Sequence, residues 1–352
     1  MKQILSGIFV ALMTFCMVFP AGADEVRVKR DIVVYNWSEY IPDDVLEDFT
    51  SETGVRVTYS TYESNEAMFA KVKLLGGRSY DVVCPSSYMA DLMIKAGMLR
   101  KLDHSRLPEL ANIDPKLMAY QAHDPQGDYS VPYMWGTLGL VINTKYIPKG
   151  SVTRWSDLWR PEFKGKILLT DDSRDAFGVA LKVLGKDVNT TSEADIAAAY
   201  GLLEKLHPSV RVFDVTAAKQ ALVSEEVIIG TIWNGDALVA KEENPHLEFI
   251  YPEEGAIIWV DSFVILNRTD NLNNAYKFIN FMLRPDISAR CVEEYMYSSP
   301  NVKTWELLDE ELRSNRVLNP LPEDLENSEV LISVGSAQSI YERYWERVKT
   351  LR

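Results

Sequence analysis

Ile32-Val33-Val34-Tyr35-Asn36-Trp37-Ser38-Glu39-Tyr40 sets the pattern of this chain. Four apolar residues in a row, three of them β-branched, predict a buried strand at 32–35. Asn36 to Tyr40 reads as the loop that leaves it, and Pro42 fits the first turn of a helix carrying Val45, Leu46 and Phe49. The unit then repeats. Val55-Arg56-Val57-Thr58-Tyr59 predicts a second strand, followed by a helix through Met68, Phe69, Val72 and Leu75. Asp81-Val82-Val83-Cys84 predicts a third, with a helix after Ser86-Ser87-Tyr88. Strands alternating with helices imply an α/β fold with mostly parallel, doubly wound sheets. Such sheets bind ligands at the carboxyl ends of their strands. Trp37, Ser86, Tyr88 and Trp233 all fall at such ends, the last after a strand at Val227 to Ile232 and at the head of the loop Trp233-Asn234-Gly235-Asp236.

A second strand-and-helix series runs from about Val141 to Trp259. It contains Gly165-Lys166-Ile167-Leu168-Leu169, helices from Asp171 to Leu184 and from Glu193 to Leu206, and the Trp233 unit. Gly139 to Asn143 and Trp259 to Leu266 read as strands crossing between this domain and the first, which becomes discontinuous. Two crossings form the hinge that a closing cleft needs.

The chemistry gathers around Ile257-Ile258-Trp259-Val260-Asp261-Ser262, where strand alternation puts Trp259 and Asp261 on one face. Aromatic surface next to a carboxylate recurs at Trp37 with Glu39 and Tyr40, and the trio Asp171, Asp172 and Asp175 opens a helix. Aromatic faces and carboxylates without a matching set of basic groups suit an organic cation, so the ligand expected is a di- or polyamine. Plainer roles stand beside this. Asp171 reads as a helix N-cap, and Asp172 and Asp175, three residues apart on one face, also offset the helix dipole. Met89, Met93 and Met98 read as core, and Trp155 and Trp159 as packing. The amphipathic C-terminal helix from Ser339 to Trp345 is expected to dock on its own lobe rather than on a partner or membrane.

At 352 residues, 47% hydrophobic and 25% charged, the chain can bury a full core and divide into two domains. Met1-Lys2-Gln3, the apolar run Ile4 to Pro20 and Ala21-Gly22-Ala23 form an export signal too short to span a membrane. It ends either after Ala23, making 1–23 a signal peptide, or before Cys16, which would then carry a lipid anchor; Phe15 is bulky for the residue preceding such a cysteine. With 1–23 removed, 36 basic residues face 51 acidic ones, a net charge of −15 that argues against a nucleic-acid partner. Cys84 and Cys291 read as packed thiols, with a bridge between them as the alternative. His104, His123, His207 and His246 show no ligand spacing, so neither a metal nor any other cofactor is expected.

Together with Tyr59-Ser60-Thr61-Tyr62-Glu63-Ser64-Asn65-Glu66, Pro85-Ser86-Ser87-Tyr88, Leu168-Leu169-Thr170-Asp171-Asp172, Ile232-Trp233-Asn234-Gly235 and Ser339-Ile340-Tyr341-Glu342, these segments resemble the spermidine/putrescine-binding proteins of bacterial polyamine ABC importers over nearly the whole mature chain. The resemblance implies a two-lobed type II periplasmic binding fold, with lobes at 24–138 plus 260–303 and 139–259 plus 304–352. It implies a monomeric receptor without enzymatic activity, periplasmic or held at the membrane through Cys16, which passes its ligand to an inner-membrane ABC permease. It further implies an aromatic box of Trp37, Tyr40, Tyr88, Trp233, Trp259 and Tyr297. Asp172, Asp175, Asp261 and, at the far end, Glu39 would hold the amines, with Ser38 and Ser86 as neighbouring polar contacts. The chain departs from the spermidine receptors in carrying Asp175 for glutamate, Leu331 for glutamine and Ser38 for threonine; Leu331 cannot hydrogen-bond an amine, so putrescine is expected to bind at least as well as spermidine. The rival readings are a sugar receptor, which would need more amide and cationic donors, and a glycosidase using Asp172 and Asp261 as its carboxylate pair.

Overall fold

The computed structural model describes residues 31–351. The export signal and Cys16 lie outside them. The first units are β1 (Asp31–Trp37), α1 (Asp43–Thr53), β2 (Arg56–Tyr62), α2 (Asn65–Leu74), β3 (Val82–Val83) and α3 (Ser87–Lys95). A short α4 (Pro115–Tyr120) leads into β4 (Ser130–Asn143), the longest strand. The middle of the chain forms β5 (Ile167–Leu169), α5 (Ser173–Val183), α6 (Glu193–Leu206), β6 (Val210–Phe213), α7 (Ala218–Val223), β7 (Ile229–Trp233), α8 (Asn234–Glu243) and β8 (Leu247–Ile250). The chain then returns through β9 (Ile257–Ile265) to α9 (Leu272–Met282), α10 (Pro285–Tyr295), α11 (Glu310–Ser314), β10 (Glu329–Val330) and α12 (Gln338–Lys349).

The strands hydrogen-bond in the order β2-β1-β3-β9-β4-β7-β5-β6, with β10 on β9 and β8 on β4. Pairs joined by helical crossovers are parallel: β1 with β2 and β3, and β5 with β6 and β7. Every antiparallel pair contains β4 or β9, the two strands that carry the chain between the halves. All residues of both are buried, as expected of strands covered on both faces of a sheet. Their pairing breaks register between Pro132 and Met134, an irregularity of the kind at which a strand tolerates proline.

Helix faces complete the core. In α1, Phe49 packs edge-on against Phe278 and Phe281 of α9 at 5.3 Å from each ring; each ring buried this fully contributes roughly 1.5–3 kcal/mol. The C-terminal α12 docks on its own chain: Tyr341 meets Phe177 of α5 at 5.4 Å and Trp345 meets Phe213. Trp155 and Trp159 are packing residues, their indoles donating to the carbonyls of Gly255 and Leu202. Cys84 and Cys291 are buried free thiols.

Local boundaries differ from the sequence reading at three informative places. Trp37 ends β1 instead of opening a loop, because it pairs with Tyr62 on β2, and Pro42 is the residue before the helix. Asn234, Gly235 and Asp236 form the first turn of α8 rather than a loop. The N-cap of α5 is Asp172, not Asp171; Asp172 accepts from the backbone N–H of Arg174 and Asp175, while Asp171 accepts from the Trp345 indole at 3.2 Å.

Candidate functional site

A cavity of about 200 Å³ opens among the carboxyl ends of β1, β2, β3 and β7 and the middle of β9. All twelve ligand-binding candidates line it: Trp37, Ser38, Glu39, Tyr40, Ser86, Tyr88, Asp172, Asp175, Trp233, Trp259, Asp261 and Tyr297. Leu331 lines it too. The six aromatics form its walls, with Trp259 edge-on to Tyr297 at 5.1 Å and Tyr297 edge-on to Tyr40 at 5.7 Å.

Two glycines make this packing possible. Gly136 of β4 lies opposite Trp259 in register, and a Cβ there would sit 2.6 Å from the indole and 2.3 Å from Asn234 Oδ1. Gly235 presses against Tyr297, where a Cβ would come within 2.5 Å of the ring.

Asp261 stands at the centre. It accepts hydrogen bonds from Tyr40 at 2.7 Å and Ser86 at 2.6 Å, and burial pushes its carboxyl up to about 7 despite both donors. Ser86 is itself fixed by Asn65, which also donates to the Tyr88 hydroxyl at 3.0 Å. Asp175 accepts from the Trp233 indole at 2.9 Å; burial first, then neighbouring Asp172, hold it well above the usual carboxylate range. Burial also raises Asp172 and Asp236. Behind Tyr88, Glu66 accepts the Tyr88 hydroxyl at 3.1 Å and a Gln338 amide proton at 3.2 Å, and burial together with Asp172 lifts it to about 7. The site thus concentrates carboxylates that resist ionising until a cation joins them.

It is not free of protein cations, contrary to the sequence reading. Lys219 lines the cavity, paired with Glu39 and, at 3.3 Å, with Asp236. Arg174 is fully buried behind the acidic pair of α5, bonded to Asn189 Oδ1 and the carbonyl of Ile332, with its guanidinium 5.4 Å from the Tyr88 ring. The nearby amides have separate roles. Asn36 and Asn234 are structural, accepting from the backbone N–H of Trp37 and Thr137, whereas Asn65 is the amide that lines the cavity. Among the described residues no group of His, Cys, Asp and Glu side chains is arranged to hold a metal ion.

A family model for bacterial extracellular solute-binding proteins matches residues 44–311. The chain belongs to that family. It is 44% identical to the spermidine/putrescine-binding periplasmic protein of Escherichia coli over 94% of each chain. It is 30% identical to the putrescine-binding periplasmic protein PotF of the same organism, over 99% of this chain and 98% of that one. Among solved structures, the spermidine/putrescine ABC transporter substrate-binding protein PotD of Streptococcus pneumoniae superposes with a TM-score of 0.76 at 34% identity, covering 90% of this chain and 99% of the other. The TpPotD lipoprotein of Treponema pallidum gives 0.81 at 29% identity, covering 90% and 99%. The fold of this solute-binding protein is therefore the two-lobed type II periplasmic binding architecture. No helix among the described residues is long and apolar enough to cross a membrane.

Three of the residues that sequence reasoning missed follow a rule already in use. Glu63 and Asn65 stand just past the carboxyl end of β2, as Trp37 does past most of β1. Asp236 lies three residues after Trp233, on the same face once α8 is known to begin at Asn234. Lys219 carries no local signal: its partner Glu39 is 180 residues away.

Proposed function

We propose that this solute-binding protein captures a linear polyamine in the cavity and delivers it to the permease of an ABC importer. One observation carries the reading: six aromatic side chains wall a cavity into which the buried carboxylates Asp175 and Asp261 and the half-buried Asp172 converge. Each ammonium taken from water costs several kcal/mol unless a carboxylate pairs with it, while a desolvated cation–π contact returns about 2 kcal/mol. The carboxylates therefore hold the amine ends, and the aromatic walls read the methylenes at about 0.8 kcal/mol each. Family membership and the named relatives, which bind spermidine and putrescine, support the assignment.

The lobes we assign are 24–138 plus 260–303 and 139–259 plus 304–352. These boundaries cut β4 and β9 where β4 changes partner from β9 to β7, which supports their use as hinges. Glu66 with Gln338 and Glu39 with Lys219 bridge the two lobes across the cavity, so the conformation described is a closed one. The permease would read this closed surface, and the receptor acts as an exported monomer, free or anchored through Cys16. With Ser38, which donates to Glu63, and the apolar Leu331 in the lining, putrescine binds at least as well as spermidine. Lysine is excluded because Lys219 is already shared by two carboxylates and leaves no spare positive charge for an incoming carboxylate.

Titration calorimetry of ligand-stripped protein with putrescine, spermidine, lysine and a neutral disaccharide tests the proposal. One-to-one binding of polyamines alone is expected. Disaccharide binding without polyamine binding would refute it in favour of a sugar receptor.

A further inference from the structure

Lys219 is the cavity's unexplained group. It sits on the short α7, packed beside α8, so that its ammonium lies 3.3 Å from Asp236 Oδ1 in the first turn of α8 and pairs with Glu39 from the opposite lobe. Glu39 holds a left-handed backbone with φ of 49°, a conformation uncommon outside glycine and one that needs surrounding contacts to persist. Asp236 is almost fully buried, and Tyr297 is among the groups that hold its carboxylate. Burial pulls the Lys219 ammonium down, yet Asp236 and Glu39 outweigh it and hold the group above its ordinary value. A primary ammonium on a four-carbon tether thus already occupies the Glu39 end of an acidic, aromatic cleft. Apart from Lys219, no lysine or arginine among the described residues lines the cleft, which also holds Asp172, Asp175 and Asp261.

We infer that Lys219 is a specificity-determining residue: its own ammonium takes the place at Glu39 and Asp236 that the third ammonium of a triamine would otherwise fill, so the site is matched in length to a diamine. The inference rests on the polyamine reading of the cavity. A triamine must either displace Lys219 from two carboxylates or bring a further positive charge up against it, and both are unfavourable. A diamine meets neither cost.

The test uses the full mature chain, stripped of ligand, and reads the ratio of spermidine to putrescine affinity by calorimetry. The ratio is chosen because the Lys219–Glu39 bridge also spans the two lobes; loss of that bridge would weaken both ligands together and leave the ratio alone. Lys219→Met is expected to raise the ratio about tenfold, equivalent to about 1.4 kcal/mol. Adding Glu39→Gln to Lys219→Met should cancel most of that gain, since the freed carboxylate is what the third ammonium would use. If Lys219→Met does not fold, as judged by its thermal unfolding, Lys219→Gln reads the same ratio with a polar side chain of similar reach. A wild-type protein that binds both polyamines while neither variant changes the ratio overturns this inference and leaves the polyamine reading standing. A wild-type protein that binds neither polyamine overturns both.

Discussion

Replacing Asp261 by asparagine should separate binding from stability. The side chain is 5% exposed, and its carboxyl is raised from 3.8 to about 7 by burial. Because the folded value lies above the unfolded one, the ionised group costs stability: the cost is absent below about pH 4, grows through the interval between the two values and is full above pH 7. An interval of about three pH units corresponds to about 4 kcal/mol. The amide would remove that cost but would satisfy the Tyr40 and Ser86 hydroxyls less well, at about 1 kcal/mol for each hydrogen bond. The net expectation at pH 8 is a variant more stable by about 2 kcal/mol, with the advantage fading as the pH falls toward 4. Ligand binding should move the other way, because an ammonium buried without its carboxylate costs about 3–5 kcal/mol, or about 150- to 5,000-fold in affinity. Calorimetry with putrescine and thermal unfolding of the stripped protein at pH 5 and 8 measure both quantities. An affinity loss below tenfold refutes the role of Asp261 as a charge partner. A variant destabilised at pH 8 refutes the electrostatic argument.

Polyamine affinity should fall as the pH drops through 7, because Asp261, raised to about 7, must be ionised to face a cation; the limit is about tenfold per pH unit for each proton displaced. Calorimetry in two buffers of different ionisation heat should show proton release at pH 6.5, and a flat affinity from pH 6 to 8 would contradict the scheme. Gly136→Ala should lower stability and affinity together, by about 1–3 kcal/mol in unfolding, since its Cβ overlaps the Trp259 indole and Asn234; wild-type unfolding and binding would show that Trp259 has another seat. Saturating putrescine should compact the stripped protein in small-angle scattering, and a superimposable profile would rule out lobe closure.

Much of the fold was legible because its signals are local. The Glu193–Leu206 helix matches its predicted bounds, and the βα units at β1, β2 and β3 announce themselves by apolar runs followed by helical spacing. The long strands were foreshortened. β4 begins at Ser130, nine residues before the stretch that periodicity picks out, since Pro132 at the register break and the polar residues Ser130 and Thr137 mask a strand whose pairing is decided by β9. Cap identity was misread for a similar reason. Asp171 and Asp172 are equally good caps locally, and the Trp345 indole, 174 residues away, draws Asp171 off the helix end.

The site divides along the same line. Trp37, Ser86, Tyr88 and Trp233 could be read because topology gathers strand ends, strand alternation paired Trp259 with Asp261, and the resemblance assigned the rest of the twelve candidates, all of which line one cavity. The charge balance could not be read that way. A composition with many more acidic than basic residues suggests an acidic cleft, but the effective charge of a buried carboxylate depends on what lies a few ångströms away. Arg174 stands behind Asp172 and Asp175, Lys219 stands between Glu39 and Asp236, and Asp261 has only two hydroxyls. These acids, indistinguishable in sequence, therefore enter binding in different electrostatic states. Asp261 has no protein cation among its hydrogen-bond and ion-pair partners and gains most from an incoming ammonium, whereas Glu39 must first give up the one it holds.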